Sequence, residues 1–225
     1  MKFTKLSLIA AVAASTITMT TSAMAEVELS ANVSATNNYV WRGMSQTNNQ
    51  AAVQGGVDLA MGGFYLGTWA SNVDFSGGAG AGDTEVDGYA GYAGEISGLG
   101  YDLGYIKYGY LDTPSGNFDE AYLGLSYDFG VASLGATYSM GMGDFRGTTT
   151  EVPDDIAVDL SIPVMQDYSL DLAYGDYDTF GTRYSAGVSK SFDKVDFSVA
   201  YSSFDHETTS SSDENNVIVS AGTSF

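Results

Sequence analysis

From Val27 onward the chain keeps apolar and polar residues on opposite parities. Val27, Leu29, Ala31, Val33, Ala35, Tyr39 and Trp41 alternate with Glu28, Ser30, Asn32, Ser34, Thr36, Asn38 and Arg42, and Val40 is the one break. Successive side chains of a strand face opposite sides of a sheet, so this period of two specifies strand with one apolar face. The pattern returns in Val53–Leu59, Glu120–Tyr127, Ala132–Tyr138, Asp155–Ile162, Tyr168–Tyr174, Arg183–Val188, Val195–Tyr201 and Val217–Phe225. Stretches near 64–75, 85–96 and 101–111 read as strands whose faces are ambiguous. Together these make about twelve strands of roughly ten residues, the length a tilted membrane strand needs.

Connections alternate in length. GMSQTNNQ, SGGAGAGD, DTPSGN, GMGDFRGTTTEVP, GDYDTFGT and DHETTSSSDENN are long; MGG, SGLG, FG, PVMQD and DK are short. Outer-membrane barrels have long outer loops and tight periplasmic turns. An even strand number places both ends of the wall on the periplasmic side. The chain opens with Lys2 and Lys5, the apolar run LSLIAAVAA and Ala23-Met24-Ala25. That is the layout of a secretory signal peptide over residues 1–25, too short to span a membrane as a helix. The expected product is an all-β, up-and-down transmembrane barrel over residues 26–225.

A secreted sandwich also alternates, but three features favour the barrel. The polar parity is built of Ser, Gly, Thr, Ala and Asp, where a solvated sheet face carries long charged side chains. Aromatic residues crowd the strand ends, and Tyr39, Trp41, Trp69, Tyr127, Tyr138, Tyr174 and Tyr201 are the expected interfacial girdle. The final strand, VIVSAGTSF, ends on Phe225, which resembles the signal read by the outer-membrane assembly machinery. A basic residue on the lipid face costs roughly 2–4 kcal/mol at mid-bilayer and about 0–1 kcal/mol near an interface. The mid-strand acids Asp58, Asp159 and Asp171 therefore belong to the lumen. Lys107 and Lys190 fall on the lipid parity near strand ends, where their stems can snorkel.

Without residues 1–25 the chain holds 28 acidic residues against six basic ones. Such a surface repels nucleic acid. There is no cysteine and a single histidine, His206, in a loop of acids and serines. Metal clusters and Ser–His or Cys–His catalysis lack their parts, so neither an enzyme nor a cofactor or metal is expected. Gly77–Asp83 lacks the Lys-Ser/Thr of a phosphate loop and reads as a plain loop. The acidic stretch Asp205–Glu214 reads as solvated, with divalent bridging to lipopolysaccharide the weaker alternative. Asn32-Val33-Ser34 falls inside a strand and is set aside as a glycosylation site.

The stretch NNYVWRGMSQTNNQAAVQGGVDL, followed by GFYLGTWASNVDF and EVDGYAGYAGEISGLGYDLGYIKYGY, resembles the N-terminal hallmark of the TorF porin family, earlier catalogued as a conserved hypothetical domain of proteobacteria, Gcw_chp. The resemblance covers the chain after residue 25 and implies an outer-membrane barrel; it implies no substrate and no catalytic residue. From the parity, Arg42, Asp58, Asp87, Glu120, Asp159, Asp171 and Arg183 are expected to line a lumen that prefers cations. Arg42 is expected near the outer mouth, paired with a carboxylate such as Asp58 or Glu120. The expected partners are small solutes, outer-membrane lipid and lipopolysaccharide. The alternative is a non-conducting barrel acting through its loops.

Overall fold

The computed structural model describes residues 27–75, 83–144, 150–165 and 167–225. The leader over residues 1–25 and Gly77–Gly82 of the glycine-rich loop lie outside the described residues. The chain forms β1 (Glu28–Thr36), a small inserted pair β2 (Val40–Trp41) and β3 (Met44–Ser45), then β4 (Ala52–Met61), β5 (Phe64–Val73), β6 (Asp83–Ile96) and β7 (Leu99–Tyr108). There follow β8 (Phe118–Asp128), β9 (Ser133–Met142), β10 (Asp155–Met165), β11 (Tyr168–Tyr177), β12 (Gly181–Phe192), β13 (Val195–His206) and β14 (Glu214–Ser224).

All of these except β2 and β3 form a closed antiparallel barrel in chain order, sealed by β1 against β14. Twelve strands are in the wall, as the alternation predicts. Closure runs from Asn32 opposite Ser224 to Thr36 opposite Ser220. It is extended by reciprocal backbone hydrogen bonds between Ala31 and Phe225. Closing the sheet leaves no strand edge unpaired, which a wall in lipid requires.

The faces are inverted relative to a protein dissolved in water. Leu29 (72% exposed), Val53, Leu66, Leu103 and Val217 point outward, while Asp58, Asp87, Glu120, Asp155 and Asp171 are buried inside. An apolar band this continuous is stable only against an apolar medium. The ambiguous segments resolve into β5, β6 and β7. Tyr65, Trp69, Glu85, Tyr89, Ile106 and Tyr108 are their buried inward residues. Lys107 and Lys190 sit at strand ends on the outward parity; Lys107 bonds Asp119 at 2.9 Å, and Lys190 lies 4.3 Å over the Tyr168 ring. Two of the tight turns, Gly62-Gly63 and Ser97-Gly98, have both residues at positive φ. That two-residue geometry matches the twist of the flanking strands.

One part of the alternation misleads. The wall ends at Thr36, and residues 37–51 turn into the barrel instead of continuing the strand or projecting as an outer loop. Tyr39, Val40, Trp41, Arg42, Gln46 and Thr47 are all buried. Tyr39, Trp41 and Trp69 therefore face the interior, and none of the three belongs to a lipid-facing girdle. The parity of β1 cannot be carried beyond Thr36, and Trp69 lies on the inward parity of β5, opposite Tyr39 at 5.4 Å between ring centres. Tyr127, Tyr138, Tyr174 and Tyr201 do point outward.

Candidate channel constriction

The inserted segment is a hairpin. β2 and β3 pair through Val40–Ser45 and Trp41–Met44, leaving Arg42-Gly43 as the turn. Their φ values are 49° and 85°, the same signature as the wall's tight turns. Glycine at 43 is required twice, since a Cβ there would also lie 2.9 Å from the Phe204 Cβ of β13. Arginine in the left-handed region is unfavourable by roughly 1–2 kcal/mol, so the surroundings must hold it there.

They do so with charge and aromatic faces. Arg42 donates both terminal nitrogens to Glu120 of β8, at 2.7 and 2.8 Å. Its Nε faces Asp155 of β10 at 3.4 Å. Asp155 in turn accepts two hydrogen bonds from Arg183 of β12, at 2.5 and 2.9 Å. The Arg183 guanidinium lies flat on the wall beside Gly175, where a Cβ would come within 2.7 Å of its Nη1. The Arg42 guanidinium sits 4.4 Å from the centre of the Trp41 ring and 4.6 Å from that of Tyr177. Trp41 (4% exposed) meets Tyr108, Phe118 and Tyr177 (0%) edge to face. Burial alone would lower the pKa of Arg42, which lies off the spanning strands; Glu120 and Asp155 outweigh it and hold the group firmly charged. Deleting one partner of such a buried pair costs about 3–5 kcal/mol, because the survivor is left uncompensated.

The rest of the segment is fastened by polar groups. The Tyr39 hydroxyl donates to Glu85 at 3.0 Å, and the Ser45 N–H donates to Glu214 at 2.8 Å. Asn38 bonds Asn216 of β14 at 3.0 Å, and the Asp74 N–H donates to the Gln46 carbonyl at 2.7 Å. Carboxylates on four wall strands, β6, β8, β10 and β14, thus hold one short segment across the barrel.

Nearer the short turns the interior is built differently. Asp58 accepts from the Tyr89 hydroxyl at 2.5 Å, and Asp102 accepts from Tyr65 at 2.6 Å. Asp171 is bonded by Ser161 at 2.6 Å and Ser189 at 2.8 Å. Asp159 lies against Gly135 on the neighbouring strand. All seven residues expected in the lumen point inside the barrel, Arg42 from the tip of the inserted segment and the other six from the wall. The structure brings Arg42 and Glu120 together, with Arg183 joined to them through Asp155. It does not pair Arg42 with Asp58.

The alternation alone does not single out Asp155, Glu85 or Asp102. Asp155 and Glu85 share the parity of Asp159 and Asp87, so an inward reading was available for both. Asp102 lies in one of the segments whose face the sequence leaves ambiguous. His206, at the end of β13, accepts a hydrogen bond at Nδ1 from the Thr208 N–H at 3.2 Å. Among the described residues no group of three or more His, Cys, Asp or Glu side chains is placed to hold a metal ion.

The family described as "Bacterial protein of unknown function (Gcw_chp)" matches residues 20–224. No curated protein matches. Among solved structures the chain is similar to the KdgM porin, with a TM-score of 0.60 at 12% identity over 87% of this chain and 99% of that one. It is similar too to the KdgM porin in complex with disordered oligogalacturonate, at 0.58, 10%, 88% and 98%. The Salmonella typhi outer membrane phospholipase dimer with bound calcium gives 0.55, 11%, 86% and 90%. At these identities the likeness is one of fold, and that fold carries both porins and a lipolytic enzyme.

Proposed function

The chain belongs to the Gcw_chp family of bacterial proteins of unknown function, and we propose that it is a narrow, porin-like outer-membrane channel for small solutes that prefers cations. The observation that carries the reading is the charge of the interior. Among the described residues the two inward-facing arginines, Arg42 and Arg183, are committed to carboxylates. Asp102, Asp159 and Asp171 face the same space with hydroxyl or backbone neighbours, and among the described residues no basic side chain is bonded to these three. Carboxylates lining a water-filled path favour cations. The resemblance of residues 37–59 to the TorF porins supports the channel reading. The segment 37–51 then acts as the constriction.

The ligand named with KdgM does not carry over. Oligogalacturonate is a polyanion, and among the described residues this lumen offers an anion no uncommitted arginine. A hydrolase reading lacks support as well: among the described residues the His206 ring meets a loop amide and the rings of Phe180 and Phe204, and no hydroxyl group is bonded to it. We place the protein in the outer membrane of a Gram-negative cell, exported by residues 1–25. Phe225 would be presented to the assembly machinery, and the outward face to lipid and lipopolysaccharide.

The near-complete burial of Trp41, Glu120 and Tyr177 favours one other reading, a barrel closed by its own segment and acting through its outer loops. Reconstitution into a planar bilayer decides between them. Stepwise currents with a cation-biased reversal potential are expected. A folded, inserted barrel that carries no current would sink the channel reading and leave the closed one.

A further inference from the structure

The surroundings of Arg42 have the composition of a ligand site. Glu120 takes the guanidinium fork with two oxygens, Asp155 meets Nε, and Tyr177 lies under the flat face. These three residues belong to the wall strands β8, β10 and β11; among the described residues Trp41 is the one group against the guanidinium that travels with the inserted segment. Fork geometry with an aromatic face is how proteins recognise a planar delocalised cation, as distinct from a compact ammonium or a metal ion. Among the described residues, without Arg42 the wall cluster would hold two carboxylates, Glu120 and Asp155, against the one guanidinium of Arg183. It is then one positive charge short.

The occupant is also detachable in principle. Arg42 is held at φ 49°, a conformation its own chemistry disfavours. The segment's other polar fastenings noted above are hydrogen bonds to Glu85, Glu214, Asn216 and Asp74, which water can replace; its aromatic contacts, Tyr39 on Trp69 and Trp41 among Tyr108, Phe118 and Tyr177, are what a displaced segment gives up.

We infer that the Glu120–Asp155–Tyr177 face of the wall is a recognition site for guanidinium-type organic cations, and that Arg42 is its intramolecular occupant, displaced by such a solute to free the segment 37–51. The assignment of a gating role rests on the channel reading; the binding site itself does not.

The test uses tryptophan emission, because the chain has two tryptophans and Trp41 lies against Arg42. Arg42→Gly removes the cation while keeping a turn that glycine favours. In detergent micelles its emission should be red-shifted relative to the parent, as Trp41 loses its seat. Guanidinium chloride at tens of millimolar should reverse that shift saturably, while sodium chloride at equal ionic strength should not. Adding Glu120→Gln should weaken the saturable effect at least tenfold. If guanidinium and sodium act alike on Arg42→Gly, or if the effect survives Glu120→Gln, the site is refuted. Should Arg42→Gly fail to fold, the parent decides: a saturable red shift with guanidinium and none with sodium supports displacement, and identical responses overturn it. Bilayer recordings on the same preparations stand apart from this. Silent bilayers with intact guanidinium binding would sink the channel reading and spare the site.

Discussion

The two halves of the barrel interior are lined by the same alternating parity and filled in opposite ways. Toward the short turns, the wall itself supplies the filling, with tyrosines such as Tyr65 and Tyr89, small residues, and single carboxylates such as Asp159 beside Gly135 and Asp171 between Ser161 and Ser189. Toward the long loops, the space is taken by a segment that is not part of the wall at all, with Arg42 and Trp41 packed among Glu120, Asp155 and Tyr177. Strand periodicity decides what faces inward. What occupies the interior is decided by a loop of fifteen residues that folds back through it.

The comparison breaks most sharply if the segment is removed. Thr36 stands directly opposite Ala52 across β1 and β4, so an Asn-Gly turn can replace residues 37–51 and keep the wall register. The shortened barrel should still insert, and its single-channel conductance should rise several-fold over the parent. Unchanged conductance would mean the segment does not set the constriction.

A smaller effect comes from breaking one bond of the outer cluster. Glu120→Gln leaves Arg42 buried with half its compensation, and a loss of about 3–5 kcal/mol in unfolding free energy is expected, read by urea titration in micelles. The exposed Lys107–Asp119 pair provides the control: Asp119→Asn should cost about 0–1 kcal/mol.

On the outward face, Leu103→Arg, at the middle of β7, should destabilise the inserted barrel by roughly 2–4 kcal/mol. The smallest effect belongs to the inner half. Asp159→Asn and Asp171→Asn should leave folding intact and move the reversal potential toward zero, with the double variant moving it further. Selectivity that stays put would remove these carboxylates from the ion path.

Much of this molecule is legible in the sequence because lipid makes the code binary. Each wall strand must show apolar groups outward, so the parity of Val53–Leu59 or Tyr168–Tyr174 translates directly into facing. The inward position of Asp58, Glu120 and Asp171 follows from the same rule. The rule fails where the chain leaves the wall. Between Thr36 and Ala52 there is no lipid-facing side to enforce a parity, and an aromatic residue there satisfies an interior as readily as an interface. Val40 breaks the alternation, and the Arg42-Gly43 pair supplies a hairpin turn. Both are local marks of the departure, but neither says that the hairpin points inward. That depends on acids from β6, β8, β10 and β14 converging on one segment. Such convergence is a property of the closed barrel, since Glu85 and Glu214 are far apart in the chain.

The position of the two tryptophans tests the account most directly. Trp41 and Trp69 are both inside the barrel, although their place in the sequence suits an interfacial girdle. Reconstituted into bilayers of lipids brominated along their acyl chains, the protein should keep nearly all of its tryptophan emission, because no indole touches lipid. Strong quenching by the brominated chains, with Trp69→Phe leaving that quenching in place, would put Trp41 on the lipid face and remove the inserted segment from the lumen.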